Sequence, residues 1–217
     1  DAPAAAPVTT ARSSPHPGLG FREFVALVAG LMALNALSVD VMLPGLSAID
    51  AALGVADDND RQLVLGVYLG GFAAAQLVWG PLADRFGRKP ALMVGLGLYV
   101  LASVGAALAP SFGALLAARL AQGLTAASTR VIALALVRDC YAGRGMGRVM
   151  SLVMMVFMIV PILAPGIGQV ILLFAPWRWM FGLLLAGGVA MLLWVVLRLP
   201  ETLRPRSEER RVGKECA

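Results

Sequence analysis

Six apolar runs divide the chain, at 24–46, 62–82, 91–109, 112–136, 148–173 and 178–199, with short polar stretches between them. Each is about as long as the roughly 20 residues a helix needs to cross the hydrocarbon of a bilayer. Backbone inside lipid must satisfy its own hydrogen bonds, so runs of this length predict helices. The pattern predicts an all-α membrane protein, a bundle of six transmembrane helices over 22–200. Residues 1–21, rich in Ala, Pro, Ser and Thr and without an apolar period, read as a disordered cytoplasmic tail. Residues 201–217 read as a hydrophilic cytoplasmic tail or the start of a central loop. The chain opens on Asp1 rather than Met, which points to a start further upstream. The first apolar run is too long for a signal-peptide core and stays as the first helix.

Composition agrees with this picture. The 217 residues are 59% hydrophobic and 14% charged, with a mean hydropathy of +0.80, whereas soluble domains are about a quarter charged. The placement of charge adds an orientation. With the first tail in the cytoplasm, fourteen Lys and Arg fall on that side and only Arg61 and Arg178 on the other, where Asp50, Asp57, Asp58 and Asp60 make the first outer loop acidic. The positive-inside rule then predicts a multi-pass protein of the cytoplasmic (inner) membrane with both termini inside. The sequence pI of about 9.9 reports this bias, and without a basic stripe interleaved with aromatics it implies no nucleic-acid partner. Cys140 and Cys216 lie on the reducing side and are expected as free thiols. With a single His, His16, and no Ser/His/Asp set or phosphate loop, neither a metal, a cofactor nor an enzyme is expected.

Polar residues within the apolar runs carry the candidate chemistry. Asp40 lies about 24 Å into the first span by the helical rise. Pro44 has no N–H to offer the Asp40 carbonyl, so a kink is expected beside the carboxylate. An acid at that depth is costly and marks a substrate or proton path by default; the bland alternative is an acid already at the outer interface. Arg119, about 10 Å below the outer surface on a helix running the opposite way, reaches a similar depth. The two are candidates to pair, or to share a cavity with Gln122 one turn on. Asn35 and Tyr68 are further candidates for that cavity, although Tyr68 serves equally as core filling. Arg130 follows Arg119 by three turns on one face, or snorkels at the inner interface. Gly66 and Gly70 form a G-x-x-x-G spacing that predicts close helix packing. Pro161, Pro165, Gly166 and Gly168 predict a bent, interior-facing fifth helix, a hinge. Pro176–Trp179 reads as an interfacial anchor.

One polar gap has the strongest local pattern. In GPLADRFGRKPAL, residues 80–92, Gly80, Asp84, Arg85, Gly87, Arg88 and Lys89 crowd between the second and third spans. Gly87 suits the left-handed end of the incoming helix and Pro90 the first turn of the outgoing one. This stretch resembles the signature loop G-x-L-A-D-R-x-G-R-K-x-x-L of the major facilitator superfamily of transporters. Four further stretches resemble its bicyclomycin/chloramphenicol-resistance (Bcr/CflA) type drug:proton antiporters: Asp40–Pro44 is similar to D-M-Y-L-P, Arg119–Gly123 to R-x-x-Q-G, Val137–Asp139 to V-R-D, and Ala164–Gly168 to A-P-x-x-G. Met42, Ala75, Leu134 and Gln169 depart from that pattern.

The resemblance implies the N-terminal half of the twelve-helix major facilitator fold, itself two three-helix repeats. It further implies proton-coupled multidrug efflux with Asp40 as the proton-linked acid, Arg119 as its partner, and Asp84, Arg85 and Arg88 in an inner gate. The partners expected are a small drug-like molecule, protons, the lipid bilayer and a missing C-terminal six-helix half. Two alternatives stay open: a solute importer of the same superfamily, and a six-helix module that does not transport.

Overall fold

A computed structural model describes residues 19–54 and 60–200. The sequence readings that fall on His16, Asp57, Asp58 and Cys216 lie outside these residues, as do both tails. Helices α1 (Phe21–Asp40), α2 (Leu46–Leu53), α3 (Leu63–Phe86), α4 (Arg88–Ala107), α5 (Phe112–Cys140), α6 (Gly143–Phe174) and α7 (Arg178–Arg198) follow in order. They supply six candidate membrane spans among the described residues, because α1 and α2 together form the first, Phe21–Leu53.

The join between α1 and α2 is a full break where a kink was expected. The α-helix stops at Asp40, and a single 3₁₀ turn, Leu43–Gly45, restarts the chain with Pro44 in its first turn. Pro44 cannot donate to the Asp40 carbonyl, and the chain tightens instead: Met42 N–H bonds the carbonyl of Val39, three residues back, at 3.3 Å. The hairpin between the second and third spans is also tighter than its sequence suggested. Gly87 alone separates α3 from α4, at φ 105° and ψ 152°. That backbone is a positive-φ extended form rather than the left-handed helical one expected, and glycine adopts it without a Cβ clash. Asp84, Arg85, Arg88 and Lys89 therefore sit on helical turns either side of it, and Pro90 falls in the first turn of α4.

α5 is the centre of the bundle. It packs along both α3 and α4 and touches α1, while α7 lies on α4 and α6 on α1. Some 67% of the apolar window of α5 is buried, against 11% for α6. In lipid no hydrophobic force drives helices together, so close van der Waals approach decides the contacts. Gly71 and Gly123 supply it between α3 and α5: a Cβ on Gly71 would stand 2.8 Å from the Leu120 carbonyl, and one on Gly123 would overlap the Tyr68 carbonyl. Between α4 and α5, Gly95 makes room for Ser128. The G-x-x-x-G reading is corrected here, since Gly66 and Gly70 are exposed and have nothing near their Cβ positions. The close pair is one residue further on, turned to the other side of α3.

α6 is assigned as one uninterrupted helix despite Pro161 and Pro165, and most of its surface is uncovered. It differs in this from the interior-facing hinge expected. Its contact with the bundle runs through α1: Gly168 is buried against the break, where a Cβ would meet the Val41 carbonyl and stand 2.7 Å from Pro44 Cγ. The Asp40–Pro44 and Ala164–Gly168 stretches, separate in sequence, thus meet face to face. Lower down, α1, α6 and α7 leave an apolar groove of about 360 Å³ lined in part by Leu34, Leu37, Leu163, Ile167 and Met191.

Candidate functional site

The core of the site is Arg119, fully buried on α5. Its Nε donates to the Val64 carbonyl of α3 at 3.2 Å, its Nη1 to Gln122 Oε1 at 2.7 Å, and its Nη2 to the Ser38 carbonyl of α1 at 3.0 Å. The guanidinium also lies over the ring of Tyr68 at 4.4 Å and near that of Phe181 at 5.8 Å, a cation–π arrangement that favours a desolvated cation. The fork geometry of Arg allows these contacts from one planar group.

The polar chain continues away from Arg119 with every proton assigned. Gln122 accepts from Arg119, so its amide nitrogen points onward and donates to Ser103 Oγ at 2.8 Å. Ser103 in turn donates to the Tyr99 carbonyl at 2.8 Å. Ser38 Oγ spends its proton on the Leu34 carbonyl at 2.7 Å, which makes Tyr99 the donor across the 2.6 Å contact between the two hydroxyls. Buried polar groups in lipid are costly unless paired, and this set from α1, α4 and α5 is paired throughout. Tyr68, fully buried, donates to Asn35 Oδ1 at 3.2 Å.

Asp40 stands apart from this set. It is half-buried at the end of α1 and takes no hydrogen bond or ion pair among the described residues. The direct Asp40–Arg119 pair expected from equal depth is not formed: the break frees the Ser38 carbonyl, two residues before Asp40, and Arg119 bonds that backbone oxygen. Arg130, half-buried three turns along α5, is not brought into this cluster either.

At the other end of the bundle, Arg88 ties the hairpin to α5. It pairs with Asp84 one turn back on α3, and its Nε reaches Asp139 Oδ2 at 3.1 Å. Arg85 turns away and stacks over Phe86 at 5.3 Å. Lys89 donates to the Val196 carbonyl of α7 at 3.0 Å. Gly80, Asp84, Arg88, Arg138 and Asp139 border a cleft of about 280 Å³ there. The Gly87 turn itself only closes the hairpin.

Ser38, Tyr99, Ser103 and Asp139 join these two clusters without having been singled out as site residues. The available signals were weak: Tyr99 and Ser103 are four residues apart on one face of an otherwise apolar helix, and Asp139 is an acid among basic residues.

The chain's relatives were compared against this geometry. The Major Facilitator Superfamily pattern matches residues 28–215. The chain is 37% identical over 180 residues to a multidrug resistance protein MdtL of Escherichia coli O45:K1, covering 83% of this chain and 46% of that protein. It is 38% identical over 185 residues to MdtL of Shigella boydii serotype 18, covering 85% and 47%. It therefore spans about half the length of these relatives. Among solved structures, the human organic anion transporter MFSD10 (TETRAN) superposes with a TM-score of 0.65 at 23% identity, over 84% of this chain and 48% of that one. A D-xylose-proton symporter gives 0.69 at 16% identity, over 88% and 50%. With six membrane-spanning helices, the superfamily's fold and its pattern across most of its length, this chain belongs to the major facilitator superfamily, a family of transporters rather than enzymes.

Proposed function

We propose that this chain forms the N-terminal half of a proton-coupled exporter of small drug-like molecules in the inner membrane, with the Gly87 end facing the cytoplasm. The likeness to multidrug resistance proteins supports the substrate class, and the distribution of Lys and Arg supports the orientation. One observation carries the coupling: Asp40 is an acid inside a membrane span, at a helix break, with its carboxylate uncommitted while the nearby cation Arg119 is held on backbone and amide oxygens.

An acid so placed is available to a proton or to a substrate, and the two compete. A cationic or polar drug binds the carboxylate form; a proton discharges it. That exclusivity links export to proton entry, because each ligand lowers the affinity for the other by the same factor. Arg119 and its aromatic neighbours keep a fixed positive charge beside the path, while Asn35, Tyr68 and Gln122 line the polar side. The pairing of Arg88 with Asp84 and Asp139 supports an inner latch between the hairpin and α5, opened as the halves move. The second six-helix half completes the cavity.

Asp40→Asn fixes the neutral state at nearly unchanged size. In the transporter that joins this chain to its second half, the variant is expected to lose the pH dependence of export, and drug binding is expected to release no protons. Uphill export with an unaltered pH profile would place the coupling acid elsewhere. Uptake rather than efflux in oriented vesicles would favour the importer reading.

A further inference from the structure

Tyr99 lies on α4, a helix that packs on α5 and α7, and yet its hydroxyl crosses to Ser38 on α1. Ser38 is held at both of its polar ends. Its hydroxyl sits between Tyr99 and the Leu34 carbonyl, and its own carbonyl accepts Arg119 Nη2. That carbonyl is available because Met42 N–H bonds Val39 rather than Ser38, a consequence of the tightened turn before Pro44. Two residues further along the same turn is Asp40.

We propose that Tyr99 is a positioning residue for the coupling acid: by clamping Ser38 it keeps Arg119 engaged on the α1 backbone and off the Asp40 carboxylate. The inference rests on Asp40 being the coupling acid and names what controls it. Arg119 has a competing acceptor close at hand. A guanidinium prefers a carboxylate to a neutral carbonyl when both are in reach, since charge-assisted bonds are about twice as strong. What tips the balance is the fixed position of the Ser38 carbonyl, set from behind by Tyr99 and from the Arg119 side by Gln122, itself anchored on Ser103.

The surroundings of Asp40 leave few other groups able to tune it. α5 brings Arg119, α3 brings Tyr68, bonded to Asn35, and α4 brings Tyr99. α6 has no ionisable residue from Met150 to Phe174. α7 carries Arg178 and Arg198 at its two ends, one bonded to the Ala109 carbonyl and the other to Glu23, and α2 carries Asp50, which is paired with Arg61 at 3.8 Å. Releasing Ser38 therefore acts on Asp40 through Arg119. A freed Arg119 turns to the carboxylate and favours its charged form, so Asp40 holds its proton less tightly.

The test titrates Asp40 directly, so that it does not depend on transport. Dicyclohexylcarbodiimide modifies protonated carboxyls in apolar surroundings; its reaction with Asp40, followed by mass spectrometry in lipid nanodiscs across pH, gives a midpoint, with Asp40→Asn as the unlabelled control. Tyr99→Phe is expected to move that midpoint toward acid by about one pH unit, a tenfold weaker hold on the proton. Ser38→Ala, which removes the same contact from the other side with a smaller change, is expected to give the same shift, and the double variant no more than either alone. An unmoved midpoint in both single variants, a shift toward alkaline pH, or additive shifts would overturn the proposal. Loss of coupled export in Asp40→Asn together with an unmoved midpoint in these variants would leave the antiport reading standing and sink this one alone. A midpoint that shifts as stated while Asp40→Asn exports normally would do the reverse.

Discussion

The carbonyl oxygen of Tyr68 on α3 occupies the space in which a side chain on Gly123 of α5 would begin. The two backbones are in contact there, three residues from Gln122's partner Arg119, and the same Tyr68 offers its ring to that Arg. Packing and chemistry are thus joined at one helix crossing. Gly123→Ala is expected to push α3 outward and to destabilise the bundle by about 1–3 kcal/mol, as overpacking does. Gly66→Ala and Gly70→Ala, which have open space around them, are expected to leave stability unchanged. Thermal unfolding followed by monodispersity in detergent separates the two cases; equal losses at all three positions would refute the assignment of the α3–α5 contact.

The hairpin latch gives a second prediction. Arg88 is partly shielded and bonds both Asp84 and Asp139, of which Asp84 is well exposed. Exposed ion pairs contribute about 0–1 kcal/mol, so Asp84→Asn and Asp139→Asn are expected to insert and fold with little loss. Their effect is expected in transport by the whole protein, which should fall several-fold in each. Unchanged transport in both would leave the basic hairpin with a role in topology alone.

Orientation is tested by accessibility. In a background with Cys140 and Cys216 replaced by Ser, Pro110→Cys and Gly145→Cys place a thiol at an exposed position on opposite ends of the bundle. An impermeant maleimide added to intact cells should label the first and spare the second until the membrane is opened. The opposite pattern would invert the topology.

Much of the fold is legible in the sequence, and the limits of that reading have a physical cause. Length and apolarity mark the six spans, and the glycine at Gly87 with Pro90 behind it marks the hairpin, because bilayer thickness and backbone sterics act on sequence directly. Which face of a span turns inward is another matter. Leu77 is 82% exposed and Leu92 fully buried, and both look alike in a solvent that is itself apolar. The same blindness hid the Gly71–Gly123 crossing behind the more regular Gly66–Gly70 spacing. For the site, Asp40, Arg119, Gln122, Tyr68 and Asn35 stand out as polar residues in apolar runs. Their bonding does not, because backbone carbonyls carry no sequence mark and it was the Ser38 and Val64 carbonyls that claimed Arg119.

The contact between α6 and α1 gives another expected outcome. Gly168→Ala would place a methyl group against the Val41 carbonyl and Pro44. The break after Asp40 is expected to shift, export to fall at least tenfold, and the folded yield to drop modestly, since α6 buries so little elsewhere. Gly166→Ala, with open space around it, is the control measured alongside; equal export by both variants would separate α6 from the coupling acid.

That sparse burial has a mechanical side. α6 is held to the bundle mainly along α1, with little purchase on α5 or α7, so it behaves as a beam supported on one neighbour. The support includes the unwound turn itself, with Gly168 bearing on the residue that follows Asp40. A tilt of α6 imposed from its uncovered side is therefore delivered to the carboxylate's own backbone before it reaches any other helix, and protonation there is in turn felt first as a change in the angle of the beam.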